Sequence, residues 1–352
     1  MPANSSIKHI LITRFSAMGD VAMTVPVVRA LQEQYPTLKI TVASRGFFKP
    51  FFETIPNVHF FSVDVKGRHK GFLGLIRLFL DLKKRKIDAI ADLHNVLRTQ
   101  VIRFLFLFSG VVCASTDKGR AEKKALTRAE NKVLQPLKSM FERHSDTLKK
   151  LGFVVDLNAP HFPKKENLSQ KIQNITGQKN KSWIGIAPFA QYKTKMYPLH
   201  LMQEVIASLA LEHQIFLFGG GKKEQEQLDE IASKIPNTVN ITGKLTLSEE
   251  LQLIHHLDVM LSMDSGNGHL AAMLGVPVIT LWGNTHPYAG FVPFNQPLSN
   301  SLTPDLKQYP LLPTSVYGNK KIEGYTDCMK SISPEQVVEK IQQLLTHHQS
   351  QH

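Results

Sequence analysis

The chain is poor in cysteine and contains no long uninterrupted apolar run. Its 352 residues include only two cysteines, Cys113 and Cys328, whose wide separation fits neither a metal site nor a redox pair. We interpret both as reduced structural thiols. The apolar stretches at 72–82 and 101–112 are too short or too interrupted by arginine for a membrane span, and the one at 10–12 is too short for a signal peptide. The sequence therefore predicts a globular, cytoplasmic protein.

Several motifs that mark common enzyme classes are missing. The chain has no G-x-S-x-G elbow, no H-E-x-x-H, no Walker A lysine and no G-x-G-x-x-G followed by a ribose-binding acid. These absences argue against a serine hydrolase, a zinc protease, a P-loop enzyme and a dinucleotide-dependent enzyme. No residue pattern calls for a metal, and we expect no cofactor.

Acidic residues are scarce relative to basic ones. The 42 lysines and arginines exceed the 29 acids and give a net charge of +13. Much of the excess lies in the first half, in KKRK at 83–86 and in the segment 117–138. Such a field attracts an anionic membrane surface, a phosphorylated substrate or nucleic acid, and a merely solvated surface is the alternative. A nucleic-acid-binding protein is thus an alternative of another class, although no zinc finger or RNP aromatic motif is present.

Short apolar runs alternate with helical patterns, which is typical of strands buried on both faces of a parallel sheet. A helix is predicted near 20–34, and the pattern restarts after the polar stretch 159–181. We predict an α/β fold of the GT-B class, with two Rossmann-like domains facing a central cleft. The expected parts are residues 1–165, residues 166–333 and a closing segment, 334–352, with a helix at 334–345. The predicted strands are 9–15, 39–44, 59–64, 89–94, 183–189, 214–221, 238–243, 258–264 and 277–283.

The stretch FSAMGDV, residues 15–21, follows the first predicted strand and carries Asp20 behind Gly19. In open α/β sheets, ligands and reacting groups gather at the carboxyl ends of strands. Asp20 is therefore a candidate catalytic carboxylate. The alternative is a helix N-cap, because aspartate is common at helix starts.

Polar corners in the second half suggest a site for a phosphorylated ligand. In SMDSGNGH a strand ends at Asp264 and a helix starts near His269, which exposes N–H groups suited to a pyrophosphate. Lys195, in PFAQYKTKMYP, can reach phosphates from a strand end. Glu224, in GGGKKE, can accept hydrogen bonds from a ribose. The alternatives are an ordinary strand-turn-helix corner, a solvated loop and a glycine-rich turn.

Taken in order along the chain, these motifs resemble the lipopolysaccharide heptosyltransferase family, glycosyltransferase family 9. The resemblance is carried by LITRFSAMGDVAMTVPVVRALQEQYP, KMYP, GGGKKE and DSGNGHLAAMLGVPVITLWGNTHP, and YTDCMKSISPEQVVEKI is similar to the family's closing segment. It implies an inverting, metal-independent enzyme that moves heptose from ADP-heptose to the lipid A–inner core acceptor. The alternative within this class is a glycosyltransferase that uses another nucleotide sugar.

The resemblance also implies roles for individual residues. Asp20 falls on the catalytic carboxylate, and Arg14 and Arg98, beside predicted strand ends, are candidates for acceptor binding. Tyr197 departs from the family's usual tryptophan, and Asn267 with Gly268 alters the donor turn. The residues that fall on donor-binding positions are Lys195, Glu224, Asp264, Ser265, Gly266 and His269.

The partners implied by the resemblance are a nucleotide-sugar donor, ADP-heptose, and a lipid-linked anionic saccharide acceptor. The enzyme is expected in peripheral contact with the cytoplasmic face of the inner membrane, and no nucleic acid partner is expected. The basic first half of the chain fits both the anionic acceptor and the anionic membrane.

Overall fold

The computed structural model describes residues 7–349, which form two compact units. The first unit consists of residues 7–119 and 138–163, and the second of residues 120–137 and 164–349. Each unit contains one parallel β-sheet with helices in the connections between its strands. This arrangement confirms the predicted α/β fold with two sheets.

The first unit holds a five-stranded sheet in the order β3-β2-β1-β4-β5. The central strand β1 is buried at every residue, which explains its continuous apolar sequence. The strands are β1 (His9–Thr13), β2 (Lys39–Ser44), β3 (Val58–Ser62), β4 (Ala89–Asp92) and β5 (Val112–Ser115). The helices are α1 (Met18–Ala22), α2 (Val25–Gln34), α3 (Gly71–Lys83), α4 (Leu97–Leu107) and α6 (Met140–Lys149), and α5 (Arg120–Thr127), between α4 and α6 in the chain, belongs to the second unit.

The prediction of a single helix near 20–34 is wrong, because the chain forms two helices, α1 and α2, in this region. Pro26 is the second residue of α2. Proline has no N–H to donate to the preceding turn, so it is tolerated in the first turn of a helix and not in its interior. The helix that carries Asp20 is therefore the short α1.

Two helices of the first unit, α3 and α4, share one hydrophobic cluster with the sheet. The rings of Phe79 and Phe106 meet edge to face with centroids 4.9 Å apart, which joins the two helices directly. The fully or nearly buried helix residues of this cluster are Leu75, Leu78, Leu82, Ile102 and Phe106. The opposite sides of the same helices face outward.

The second unit holds a six-stranded sheet in the order β11-β10-β9-β6-β7-β8. None of the helices within residues 7–349 has the length and apolar character needed to cross a bilayer. The strands are β6 (Trp183–Ala187), β7 (Gln214–Leu217), β8 (Thr238–Asn240), β9 (Val259–Met263), β10 (Val278–Leu281) and β11 (Ser301–Leu302). The helices are α5 (Arg120–Thr127), α7 (Gln170–Thr176), α8 (Leu199–Leu209), α9 (Gly221–Lys234), α10 (Leu247–His255), α11 (Gly266–Ala272) and α12 (Pro334–Gln349).

Both sheets reverse their strand order at one point. In the first sheet the reversal lies between β1 and β4, and in the second it lies between β6 and β9. Loops that leave two such strands diverge, and ligands of open α/β sheets bind in the crevice between them. Asp20 follows β1, whereas Lys195 and Asp264 follow β6 and β9. Asp20, Lys195 and Asp264 thus lie at the reversal points of the two sheets.

Candidate functional site

The loop after β1 fixes the carboxylate of Asp20. Arg14 Nη2 lies 2.6 Å from Asp20 Oδ2, and the N–H of Ala17 donates to the same oxygen at 3.2 Å. The backbone contact is the one expected of an acid in the first turn of a helix. The Asp20 side chain nevertheless remains 31% exposed. Asp20 therefore braces the start of α1 and still presents its carboxylate to solvent.

Arg14 is held on three sides. Its Nε donates to the Ser16 carbonyl at 3.0 Å, and its Nη1 donates to the Leu93 carbonyl at 2.7 Å. Only 7% of its side chain is exposed. Charge-assisted hydrogen bonds of this kind are shorter and stronger than neutral ones. Arg14 therefore positions Asp20 and leaves little of its own surface for a ligand.

A polar corner after β4 ties this loop to the neighbouring strand. Asp92 Oδ1 accepts from the hydroxyl of Thr13 at 3.0 Å and from the N–H of Asn95 at 2.8 Å. His94 Nδ1 accepts from the N–H of Phe15 at 3.4 Å. Sequence reasoning did not single out Asp92 or His94 as site residues. The polar end of AIADLH was the sequence signal for this corner, but only the fold shows that β4 pairs with β1.

The ring of His94 is neutral. Burial, together with the positive charges of Arg14 and Lys118, lowers the pKa of His94 to about 3. Because Nδ1 accepts an N–H, the proton of the neutral ring is assigned to Nε2. The Nδ1 lone pair is then engaged by the N–H of Phe15. Of the two carboxylates at this corner, Asp92 is fully buried, whereas the side chain of Asp20 is 31% exposed.

Arg98 belongs to the same corner. It lies in the first turn of α4, is exposed, and lowers the pKa of His94 through its charge. The charge of Asp20 acts on His94 in the opposite direction. The three first-half residues singled out from sequence, Arg14, Asp20 and Arg98, therefore gather around one histidine.

In the second unit, Lys195 and Asp264 form an ion pair. Lys195 Nζ lies 3.1 Å from Asp264 Oδ2, and the two side chains are only 13% and 11% exposed. Lys195 ends a short 3₁₀ turn after β6, and Asp264 directly follows β9. Because β6 and β9 are adjacent, residues 69 positions apart meet at one sheet edge. The arrangement holds an ammonium group where a phosphorylated ligand is expected.

The stem of Lys195 runs against Gly318. A Cβ at Gly318 would lie 2.5 Å from Cγ of Lys195, and the backbone φ of +78° at this position also favours glycine. The hydroxyl of Thr194 donates to the Gly318 carbonyl, and the N–H of Asn284 donates to the Thr194 carbonyl at 2.9 Å. Gly318 was missed from sequence, because nothing in its local pattern connects it with Lys195.

A buried serine organises the turn between β9 and α11. The Ser262 hydroxyl accepts from the N–H of Gly268 at 3.1 Å and lies 3.2 Å from the hydroxyl of Ser265. Gly266 begins α11, and His269 lies on the same helix and is 7% exposed. Since α11 has only seven residues, we assign most of the positive charge at this corner to Lys195. The signal for Ser262 was a hydroxyl within the apolar run DVMLSMD.

Glu224 lies one strand away, in the first turn of α9 after β7. Its Oε2 accepts from the N–H of Gly220 at 2.7 Å. A Cβ at Gly219 would lie 3.2 Å from both this oxygen and the hydroxyl of Thr242, so glycine allows the two polar groups to approach. Glu224 therefore supports the glycine-rich turn and stays near a second polar side chain.

The metal-ligating residue types and the two cysteines add little to the candidate site. Within residues 7–349 no cluster of three or more histidine, cysteine or acidic side chains could hold a metal ion. Both cysteines are free, and burial raises the pKa of Cys113 and of Cys328 to about 11. The two thiols stay protonated and are poor nucleophiles.

Comparison with known proteins shows the family of this chain. The family model described as glycosyltransferase family 9 (heptosyltransferase) matches residues 75–320. Lipooligosaccharide heptosyltransferase 2 of Haemophilus influenzae is 27% identical over 358 residues, which cover 96% of this chain and 99% of the relative.

Two solved structures share the fold over nearly the whole chain. A family 9 glycosyltransferase from Veillonella parvula superposes with a TM-score of 0.74 at 20% identity, covering 97% of this chain and 98% of its own. The Escherichia coli ADP-heptose LPS heptosyltransferase II gives 0.69 at 21% identity, covering 97% and 99%. The GT-B fold class is thereby confirmed. Because the family model spans more than half of its residues, this chain belongs to glycosyltransferase family 9, the heptosyltransferases.

Proposed function

We propose that this enzyme transfers heptose from ADP-heptose to the lipid A–inner core acceptor of lipopolysaccharide, with inversion at the anomeric carbon. The observation that carries the proposal is the Asp20 carboxylate, held by Arg14 at the reversal point of the first sheet. The names of the similar proteins, an ADP-heptose LPS heptosyltransferase among them, support the donor and the acceptor class.

Asp20 acts as the general base. An acceptor hydroxyl has a high pKa, so its attack on the anomeric carbon requires a group that takes its proton as the new C–O bond forms. The proton passes to the carboxylate of Asp20, and the bond between the anomeric carbon and the diphosphate breaks. The electron pair of that bond leaves with ADP. Arg14 holds the carboxylate in one orientation throughout.

The second unit binds the donor and stabilises the leaving diphosphate. Lys195 supplies positive charge, and Asp264 holds its ammonium group in place before the donor arrives. Backbone N–H groups of Ser265 and Gly266 add hydrogen bonds to the phosphates. Glu224 accepts hydrogen bonds from the ribose. His269 shapes the wall of this turn.

The first unit meets the acceptor. Arg98, which is exposed, contacts the anionic groups of the lipid-linked saccharide, and Arg14 contributes to acceptor binding mainly by holding Asp20. The enzyme works in the cytoplasm, in peripheral contact with the inner membrane. In this proposal neither a metal nor a cofactor takes part, because Lys195 supplies the cation for the diphosphate.

The test of the base is Asp20→Asn, which keeps the shape of the side chain. Turnover should fall roughly 10²-fold or more, the scale of a lost general base, while ADP affinity stays unchanged. Steady-state kinetics and calorimetric titration with ADP measure the two effects. Asp327→Asn, an exposed carboxylate of the second unit, is the control. Near-normal turnover would mean that Asp20 only stabilises the start of α1.

A donor panel tests the ligand. ADP-heptose and ADP should raise the melting temperature more than the UDP or GDP analogues, and transfer should continue in excess EDTA. Preference for a UDP- or GDP-sugar would support the alternative glycosyltransferase. Activity lost in EDTA and restored by magnesium or manganese would contradict the metal-free mechanism.

A further inference from the structure

The outward face of α3 and α4 exposes large apolar side chains. These helices bury their other sides in the core of the first unit, so the exposed residues are not a sign of poor packing. Large apolar side chains exposed on two packed helices of a soluble protein often mark a binding surface. The patch residues are Phe72, Leu73 and Leu80 on α3, and Phe104, Leu107 and Phe108 on α4 and the residue after it.

Basic residues are interleaved with the apolar ones. Leu73, Arg77, Leu80 and Lys84 follow one another at helical spacing along α3 and its end, so they form a single stripe. Lys83 Nζ lies 5.5 Å from the centre of the Phe79 ring. The stripe is therefore apolar and cationic along its whole length.

An open groove of about 450 Å³ lies beside this stripe. Its only acid is Asp81, which is already paired with Arg68 at 2.8 Å and with Lys84 at 3.6 Å. The remaining charge in the groove is positive, which suits a phosphate group. The residues lining the groove are Arg68, Arg77, Leu80, Asp81, Lys83 and Lys84.

The charge of this region selects the partner. Residues 65–87 contain eight lysines and arginines against one acid, and residues 97–111 contain two arginines and no acid. A second copy of the chain would bring like charges together at this face. An anionic bilayer offers both complements, because its headgroup phosphates attract cations and its acyl boundary takes up aromatic and leucine side chains.

We propose that the α3–α4 face docks the first unit on an anionic membrane surface. Headgroup phosphates occupy the groove between Arg77, Lys83 and Lys84, and the Phe104–Phe108 pair enters the headgroup–acyl boundary. The proposed function gives a reason for such docking, since its acceptor is lipid-linked, but the exposed apolar and basic residues of this face are independent of it.

Vesicle flotation with the full-length protein tests the surface. The protein should bind vesicles of phosphatidylglycerol and phosphatidylethanolamine, bind those of phosphatidylcholine weakly, and detach as salt rises. The double variants Phe104→Ser/Phe108→Ser and Lys83→Glu/Lys84→Glu should each weaken binding by about tenfold or more, because the first removes the apolar insertion and the second reverses two charges that attract the anionic surface. Circular dichroism checks that both variants are folded.

Two control variants match the changes elsewhere on the chain. Leu211→Ser removes a leucine of the second unit that is as exposed as Phe108, at 79%. Lys149→Glu/Lys150→Glu reverses an exposed lysine pair at the end of α6. Both should float with anionic vesicles as the wild type does.

Three other outcomes overturn the proposal. Failure of the wild type to float, or flotation of the patch variants at the wild-type level, removes the membrane contact. A dimer in light scattering that Phe104→Ser/Phe108→Ser dissociates assigns the face to self-association. Binding of an oligonucleotide but not of vesicles, abolished by Lys83→Glu/Lys84→Glu, assigns it to nucleic acid. Flotation needs neither donor nor acceptor. If the wild-type protein floats as expected but transfers no heptose, that result contradicts the proposed function and not the docking surface.

Discussion

The role of Lys195 depends on its surroundings more than on its sequence context. The loop contains two lysines two residues apart, but only Lys195 turns inward to Asp264, whereas Lys193 is exposed. The motif KMYP singled out Lys195, and the fold gives this lysine a carboxylate partner that is only 11% exposed. That partner, and the close approach of Gly318, come from loops distant in the chain. Sequence reasoning could therefore find the charged residue but not what holds it.

Lys195→Ala should lower both donor affinity and turnover, each by about tenfold or more, because a charged hydrogen bond to the diphosphate is lost and Asp264 is left unpaired. Lys193→Ala, in the same turn, should change both by less than about twofold. Titration with ADP and steady-state kinetics measure the effects. Equal and small effects at both positions would mean that the loop is only solvated surface.

Gly318→Ala tests the same lysine without removing its charge. The new Cβ would overlap the stem of Lys195, and the positive φ adds about 1 kcal/mol of backbone strain. Donor affinity should fall while the net charge is unchanged. Gly324→Ala is the control, because its φ is also positive but no atom lies within 4 Å of the added Cβ. Similar donor affinity in both variants would separate Gly318 from the site.

At the scale of elements, the apolar runs predicted all the central strands and two of the four edge strands. Strands β1 to β4 and β6 to β10 lie within or next to the predicted runs. In the central strands, burial on both faces demands continuous apolar sequence, and the edge strands β3 and β8 also carry apolar residues. The edge strand β5 is only partly buried, and β11 has two residues, so neither shows that pattern. Residues that stabilise turns, such as Ser262, were missed because a hydroxyl within an apolar run does not by itself indicate a role.

Ser262→Ala should loosen the turn between β9 and α11. Removing the hydroxyl leaves the buried N–H of Gly268 without its acceptor, at a cost of about 1–3 kcal/mol, and it lets the donor turn at Asp264 move. Both the melting temperature and the ADP affinity should decrease. The control is Ser233→Ala, whose exposed hydroxyl donates only within α9. Unchanged ADP affinity in Ser262→Ala would show that the turn is held by its backbone alone.

At the scale of the whole molecule, the second unit contains both tryptophans of the chain, Trp183 and Trp282, and both are buried. Their fluorescence therefore reports the unfolding of this unit. The same unit contains His286, whose Nδ1 accepts the N–H of Tyr288. Burial, together with the charge of Lys132, lowers the pKa of His286 to about 4.

The second unit should lose stability as the pH falls from about 6.5 to about 4. In that pH range His286 is protonated in the unfolded chain and neutral in the folded chain, so lowering the pH favours unfolding. Between pH 6.5 and 5 this group contributes at most about 2 kcal/mol. His286→Asn keeps an acceptor for Tyr288 and should reduce the acid sensitivity of urea unfolding followed by tryptophan fluorescence. His200→Asn, an exposed histidine of the same unit, should leave it unchanged. An identical pH dependence in both variants would contradict this assignment.

The grouping of residues 120–137 with the second unit affects how the protein can be divided. Lys132 Nζ donates to the carbonyls of Leu311 at 2.6 Å and Pro313 at 2.8 Å, and these contacts anchor a segment whose flanking residues both belong to the first unit. The polypeptide accordingly passes between the units three times. A gene fragment that ends at residue 163 would encode this segment without the carbonyls it binds, and one that starts at 164 would lack the ammonium that covers them. Independent expression of either half therefore requires transplanting 120–137 onto the second fragment and bridging 119 to 138 in the first.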